Sequence, residues 1–369
     1  MFAKKNLVAA AALMALVGAA QADVKVYGSV EASFGSFETA HAKNLTTSSR
    51  VTAVESGNMM TSFIGFSGSE DLGNGLKAEF ALETFVGVDK GSNITNNAGQ
   101  FWSRTSNVAL SGGFGKVALG QYDNPLFTSG YTYNPFGSSM PFSPTMRHLN
   151  YIGQTTATGV PAIAGAGVGF DTGWINSITY ESPNLSGFSF VGQAALKESN
   201  AANTKNSYTA AATYAAGPFG ATLTYVKSGF TPAGPNPLQT YNGDEKTIDL
   251  GVSYDFGAVK LFGQYTDIKE DANPSAALGG TADNKDRIYQ VGVSIPVTEK
   301  GSILASYGEL KHEIKSGASA GLEAKDRVFS LGYDHFLSKR TDVYAVFSNN
   351  GQTNLESGQT FAVGIKHAF

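Results

Sequence analysis

The chain has 369 residues and a formal net charge of −4, with charged residues at only 15% and no Cys. Without Cys there is no disulfide framework and no thiolate metal site, and no basic block offers itself to nucleic acid. Gly (44), Phe (24) and Tyr (16) are abundant, unlike a disordered secreted chain, and a mean hydropathy of −0.11 excludes a bundle of membrane-spanning helices.

Lys4 and Lys5 precede an apolar run from Leu7 to Val17, and Ala20-Gln21-Ala22 follows. A positive start, a short apolar stretch and small residues at a cleavage point mark residues 1–22 as a secretory signal peptide. The run is too short for a spanning helix, which takes about 20 residues. Residues 23–369 then read as one domain.

Period-two alternation begins at once and recurs to the end. Leu76, Ala78, Phe80 and Leu82 alternate with Lys77, Glu79, Ala81 and Glu83; Ile248, Leu250, Val252, Tyr254 and Phe256 alternate with Thr247, Asp249, Gly251, Ser253 and Asp255. Phe361, Val363, Ile365, His367 and Phe369 close the series. One oily and one polar face at this period means strands. Short turn signals rich in Gly, Pro, Asn and Asp sit at 70–75, 111–116, 183–187, 217–220, 256–258, 296–301 and 338–340. Longer polar connections alternate with them at 37–59, 89–100, 122–173, 198–205, 230–244, 269–285, 312–325 and 350–358. Seven short and eight long connections join sixteen strands. A soluble sandwich or propeller does not alternate its turns so strictly. The expected fold is therefore all-β: a 16-stranded antiparallel transmembrane β-barrel with short periplasmic turns and long extracellular loops.

Short turns recur about every 40 residues, except that the third long connection opens a gap of about 70; long structureless segments are usually functional. Residues 122–173 are accordingly expected to fold into the lumen and narrow it. Phe127, Tyr131, Tyr133, Phe136, Met140, Phe142 and Met146 dominate this loop, and Asp123, Arg147 and His148 are its only ionisable side chains, apart from tyrosines, from 122 to 150.

The motifs DVKVYGSV (Asp23 to Val30), GFSGSEDLGNGLKAEFALE (Gly65 to Glu83), FGKVALGQ (Phe114 to Gln121), NSITYESPNLSG (Asn176 to Gly187) and the terminal VGIKHAF resemble the Gram-negative general porins of the neisserial and beta-proteobacterial type. The likeness runs from Asp23 to the C-terminus. It implies an outer-membrane homotrimer in which each barrel passes ions and small hydrophilic solutes by passive diffusion. It also implies outer-membrane lipid and lipopolysaccharide as surroundings, and a barrel-assembly machinery that reads Phe369 as an assembly signal. The chain departs from the family where LGRQ becomes Leu119-Gly120-Gln121, and where an Arg is replaced at Trp174 or Ile175. Both departures weaken the family's anion preference.

By alternation Lys25, Tyr27 and Glu31 face inward on the first strand, and Lys77, Glu79 and Glu83 on the third. Gln121, Asp123, Tyr131, Tyr133 and Arg147 are expected to line the constriction. Arg104 shares parity with the outward Val108 and Leu110, where charge at mid-depth costs about 2–4 kcal/mol. Either a bulge between Arg104 and Val108 turns it inward, or Arg104 lies at the rim or subunit interface; the bulge is the favoured expectation, in agreement with the family's FxxR motif at Phe101 to Arg104. No Ser–His signature surrounds His41, His148, His312, His335 or His367, so no enzyme is expected, and neither is a cofactor or metal; Asp267, Glu270 and Asp271 read as solvated charges rather than a Ca²⁺ site. The alternative to general diffusion is a substrate-selective channel, with the aromatic loop as a stacking surface.

Overall fold

In the computed structural model, residues 23–42, 50–94, 100–150, 172–197, 205–228, 244–271, 283–317 and 320–369 are described; the expected signal peptide lies outside them. Alternation produces the strands as expected. They are β1 (Asp23–Phe37), β2 (Val51–Ser56), β3 (Phe63–Gly73), β4 (Leu76–Gly87), β5 (Ser92–Ile94), β6 (Thr105–Gly112), β7 (Gly115–Asp123), β8 (Gly173–Glu181) and β9 (Phe188–Ala195). There follow β10 (Ser207–Ala216), β11 (Phe219–Ser228), β12 (Asp244–Asp255), β13 (Lys260–Asp271), β14 (Asn284–Pro296), β15 (Gly301–Ile314), β16 (Glu323–Phe336), β17 (Thr341–Gln352) and β18 (Gly358–Ala368). Two short helices, α1 (Pro125–Thr132) and α2 (Pro144–Asn150), sit in the third long connection.

Every neighbouring pair is antiparallel, and β1 pairs with β18 from Ser29↔Ala368 to Ser36↔Phe361, which closes the sheet. The eighteen segments make sixteen barrel strands. β2 and β3 pair with the upper and lower parts of β1, and β5 and β6 with those of β4. Each pair of segments is one strand interrupted by an excursion. At the first hairpin Asn74 (φ 54°) and Gly75 (φ 77°) adopt the left-handed conformations of a two-residue turn, the geometry that matches strand twist.

Burial is inverted relative to a soluble protein. On β12, Glu245, Thr247, Asp249, Gly251 and Ser253 are buried, while Ile248, Leu250, Val252 and Tyr254 are exposed. Val24, Val26 and Phe34 on β1, Leu223 and Tyr225 on β11 and Val291 on β14 point outward in the same way. A continuous apolar exterior of this extent requires lipid.

One expectation needs correction. Pairing between β4 and β6 is unbroken from Lys77↔Ser111 to Glu83↔Thr105, so no bulge lies between Arg104 and Val108. The irregularity is one strand later, at Gly120 to Tyr122 in β7, where Gly120 has φ 119°. Arg104 escapes the parity of β6 because that strand begins at Thr105, after the bend at Phe101 to Arg104.

Leu223→Arg places a charge in the middle of the lipid-facing side of β11. It should cost about 2–4 kcal/mol in reversible urea unfolding from lipid vesicles; an unchanged midpoint would refute the outward placement.

Candidate functional site at the pore constriction

The third connection enters the lumen because its sequence offers a helix start there. Asn124 caps α1 by accepting a hydrogen bond from the Leu126 N–H at 2.8 Å, with Pro125 in the first turn, where its missing N–H costs nothing. α1 then lies against β10 to β12, and α2 against β14 to β16.

The wall receiving them is lined by glycines on the inward face. A Cβ on Gly292 would stand 2.5 Å from Pro135 Cδ, and one on Gly332 3.1 Å from Phe136 Cε1. Added at Gly251 it would fall on the Tyr133 ring, and at Gly308 on Pro144. The loop therefore approaches the strands to backbone distance.

Between these seats the inward positions hold Val226, Ile268, Ile288, Leu310 and Ala324, buried with Leu126, Leu149 and Trp174. A second cluster packs Phe136 and Phe142 with Met59, Leu304, Tyr344 and Val346. Polar hooks complete the attachment. Ser129 donates to Asp249, and Gln290 accepts from the Thr145 N–H at 2.9 Å while donating to the Tyr133 carbonyl at 3.0 Å. His148 Nε2 lies 3.1 Å from Asp326 Oδ1, and Ser139 donates to the Asn58 carbonyl at 2.6 Å.

The loop thus occupies one side of the lumen. On the other side a cavity of about 390 Å³ runs past Ala81, Glu83, Arg104, Lys116, Tyr122, Asp123, Tyr131, Tyr133 and Glu181. A second space of about 320 Å³ continues toward the short turns past Asp23, Lys25, Lys77, Glu79 and Lys116. Burial raises the Tyr131 phenol above its ordinary value and pushes that of Tyr133 up to about 12, so both stay neutral.

Two lining cations, Arg104 and Lys116, are paired with carboxylates of β4. Glu83 accepts from Arg104 and from the Tyr27 hydroxyl. The Arg104 guanidinium lies 4.6 Å from the centroid of the Phe63 ring, a favourable cation–π distance. Lys116 Nζ stands 2.7 Å from Glu79 and 5.6 Å from the centre of Tyr122.

Of the residues singled out from sequence, Glu83, Arg104, Asp123, Tyr131 and Tyr133 border the upper cavity, and Lys25, Lys77 and Glu79 the lower one. Four stand elsewhere. Tyr27 borders neither cavity, but its hydroxyl donates to Glu83. Glu31 points inward yet is 1% exposed, because the backbone N–H groups of Gly57 and Asn58 and the Tyr344 hydroxyl close over its carboxylate. Gln121 is turned into the wall by the Gly120 bulge, donating to the Ser103 carbonyl at 3.1 Å. Arg147 lies on α2 beside Asp326, beneath the loop. Lys116, Tyr122 and Glu181 were not anticipated. Lys116 falls within the turn signal at 111–116, although even-numbered parity from Ala118 places it inward.

A model of the Gram-negative porin family matches residues 9–355. This chain belongs to that family. It is 33% identical to outer membrane porin protein 32 of Delftia acidovorans, over 99% of this chain and all of the relative. It is 30% identical to the major outer membrane protein P.IB of Neisseria gonorrhoeae, over 67% of this chain and 60% of that protein. Among solved structures, the anion-selective porin from Comamonas acidovorans aligns with a TM-score of 0.71 at 27% identity, over 95% of this chain and all of that one. A trimer form of OmpT from Vibrio cholerae, 14% identical, shares the fold with a TM-score of 0.63, over 94% of this chain and 99% of that one. The protein is an outer-membrane porin of a Gram-negative bacterium, and solutes cross it by passive diffusion.

The glycine seats make a sharp prediction for this porin. Gly251→Val sets side-chain atoms where the Tyr133 ring now lies and should unseat the loop. Single-channel conductance is expected to rise or become noisy while the barrel still migrates as a folded species; a wild-type trace would count against the seating.

Proposed function

We propose that this porin is a general diffusion channel of weak charge selectivity, not a strongly anion-selective one. The observation carrying this reading is the pairing of cations with carboxylates around the passage: Arg104 with Glu83 and Lys116 with Glu79. Asp123 and Glu181 border the same cavity. Fixed charges bias ions through their net field, and cations whose fields are met by adjacent carboxylates leave little bias.

A stacking surface for specific solutes finds less support. Phe127, Phe136 and Phe142 are buried, and among the described residues Tyr122, Tyr131 and Tyr133 are the aromatic rings bordering the cavity.

We further infer that the working form is a homotrimer, exported by way of residues 1–22 and inserted with Phe369 as the assembly signal. Outward residues of β1, β2, β4 and β6 carry no charge, from Val24, Val26 and Phe34 to Val54, Leu82 and Val108, and on β3 between them only Glu70, near the short turn, does. By contrast Arg287, Lys311 and Arg327 occupy outward positions on β14 to β16. An uncharged face suits contact with a second barrel.

Single-channel recording of the mature protein in a planar bilayer under a salt gradient tests these points together. Conductance steps should close in threes, with a reversal potential near zero. Arg104→Ser frees Glu83 and should shift reversal toward cation preference, and adding Glu83→Gln should reverse that shift. A reversal potential indifferent to Arg104 would overturn the electrostatic reading.

A further inference from the structure

The hydrogen-bond ladder has a gap beside Glu31, and side chains fill it. β2 pairs with β1 from Ala32↔Ser56 to Phe37↔Val51, and β3 from Ser29↔Phe63 to Asp23↔Ser69. Val30 and Glu31 therefore face no strand on that side, and the excursion at 57–62 stands there instead. Ser62, fully buried, takes over the ladder. Its hydroxyl accepts from the Glu31 N–H at 2.8 Å and donates to the Glu31 carbonyl at 3.2 Å, so the gap leaves no buried backbone group of Glu31 unpaired.

The Glu31 side chain then holds the excursion itself. One carboxylate oxygen accepts from the N–H groups of Gly57 and Asn58, the latter at 2.9 Å, and the other accepts from the Tyr344 hydroxyl. Gly57 has φ 85°, a left-handed backbone of the kind that lets successive N–H groups converge on one anion. Among the described residues no lysine or arginine pairs with Glu31; Lys366, opposite it on β18, lies 3.1 Å from Asp342 instead. Neutral donors carry the carboxylate, and hydrogen bonds to an ionised acceptor are roughly twice as strong as neutral ones.

What this carboxylate holds bears on the passage. The hooks on Asp249, Gln290 and Asp326 grip barrel strands, but the hook at the tip of the constriction loop grips Asn58, which belongs to no strand. Ser139 donates to the Asn58 carbonyl at 2.6 Å and accepts from the Phe142 N–H at 3.0 Å. Met59, next in the excursion, packs with Phe136, Phe142 and Tyr344. Asn134 ties the tip to α1, its amide donating to the Gly130 carbonyl at 2.6 Å and to the Gly137 carbonyl at 2.9 Å. Tyr133, the residue before it, borders the cavity.

We propose that Glu31 is a positioning residue for conduction. Through the Gly57 and Asn58 N–H groups it fixes the excursion, and through the Asn58 carbonyl and Ser139 it fixes the tip of the constriction loop. One buried carboxylate thus couples the interruption between β2 and β3 to the width of the passage. The proposal rests on conduction through the barrel and not on the balance of charge within it.

Single-channel recording of Glu31→Ala and Glu31→Gln in planar bilayers tests it. Both variants remove the charge, so any change in the local field is common to them. Only glutamine keeps an oxygen for the Gly57 and Asn58 N–H groups and an amide that can donate to the Tyr344 hydroxyl. Glu31→Ala should leave its main conductance level about tenfold more often than wild type, the scale set by buried donors that lose their acceptor. Glu31→Gln should restore the steady trace. Ser139→Ala cuts the hook itself and should be as noisy as Glu31→Ala, and the double variant no noisier than either, because both act on one path. Arg50→Gln removes an ion pair with Glu38 at the loop-side rim and should leave the event frequency at the wild-type value. If Glu31→Ala does not insert as a folded barrel, Tyr344→Phe should raise that frequency several-fold. A steady trace from Glu31→Ala, with only its urea midpoint lowered, would overturn the proposal. So would a Glu31→Gln channel as noisy as Glu31→Ala, or additive effects of Glu31→Ala and Ser139→Ala.

Discussion

The backbone seam between β1 and β18 is the constraint on which the rest depends. A sheet edge left open in hydrocarbon would strand N–H and C=O groups at several kcal/mol each, and only closure removes the edge. Pairing from Ser29↔Ala368 to Ser36↔Phe361, with reciprocal hydrogen bonds between Gly28 and Phe369, completes the ring. Once closed, each strand has one face toward lipid and one toward the lumen. The inverted burial on β12, with Asp249 buried and Leu250 exposed, follows directly.

A ring of sixteen strands encloses more space than side chains fill, and the third connection occupies part of it. Its attachment is made of the same ingredients as a soluble core. Leu126, Leu149 and Phe142 meet apolar residues that the strands present inward at just those heights. Glycines at Gly251, Gly292, Gly308 and Gly332 let the backbones approach. Asp249, Gln290 and Asp326 satisfy the loop's polar groups. One wall of the lumen is thus dry and packed, and the wet passage is displaced toward β4, β6, β7 and β8. There Arg104, Lys116, Glu79 and Glu83 face one another.

Outer and inner surfaces treat charge differently. Inside, Arg104 and Lys116 stand beside carboxylates of β4. Outside, at the loop-side ends of β11 to β14, lysines follow lysines across four strands. The outer row arises from register, because cross-strand neighbours are set by the hydrogen-bond ladder and not by proximity in sequence, whereas Lys116 reaches Glu79 across the intervening β6.

Strand positions, the short turns, the long loops and the inward face were legible in the sequence, because a period of two and its punctuation are local properties of the chain. Residues such as Lys25, Lys77, Glu79 and Glu83 were placed by counting alone. Counting failed where the chain leaves its period. Arg104 sits just before a strand begins, Gln121 follows a left-handed glycine, and Lys116 lies where a turn becomes a strand. The inward Val226, Ile268, Ile288 and Leu310 broke the polar rule for a reason no window of sequence contains: they meet a loop from elsewhere in the chain. By itself, then, the sequence determined a closed barrel in lipid with a surplus segment, since alternation and backbone satisfaction admit no other solution. Which charges share the passage, and which wall the loop covers, only the tertiary structure decided, because both depend on contacts that no local window contains: Arg104 meets Glu83 21 positions away, and Ser129 meets Asp249 120 positions away.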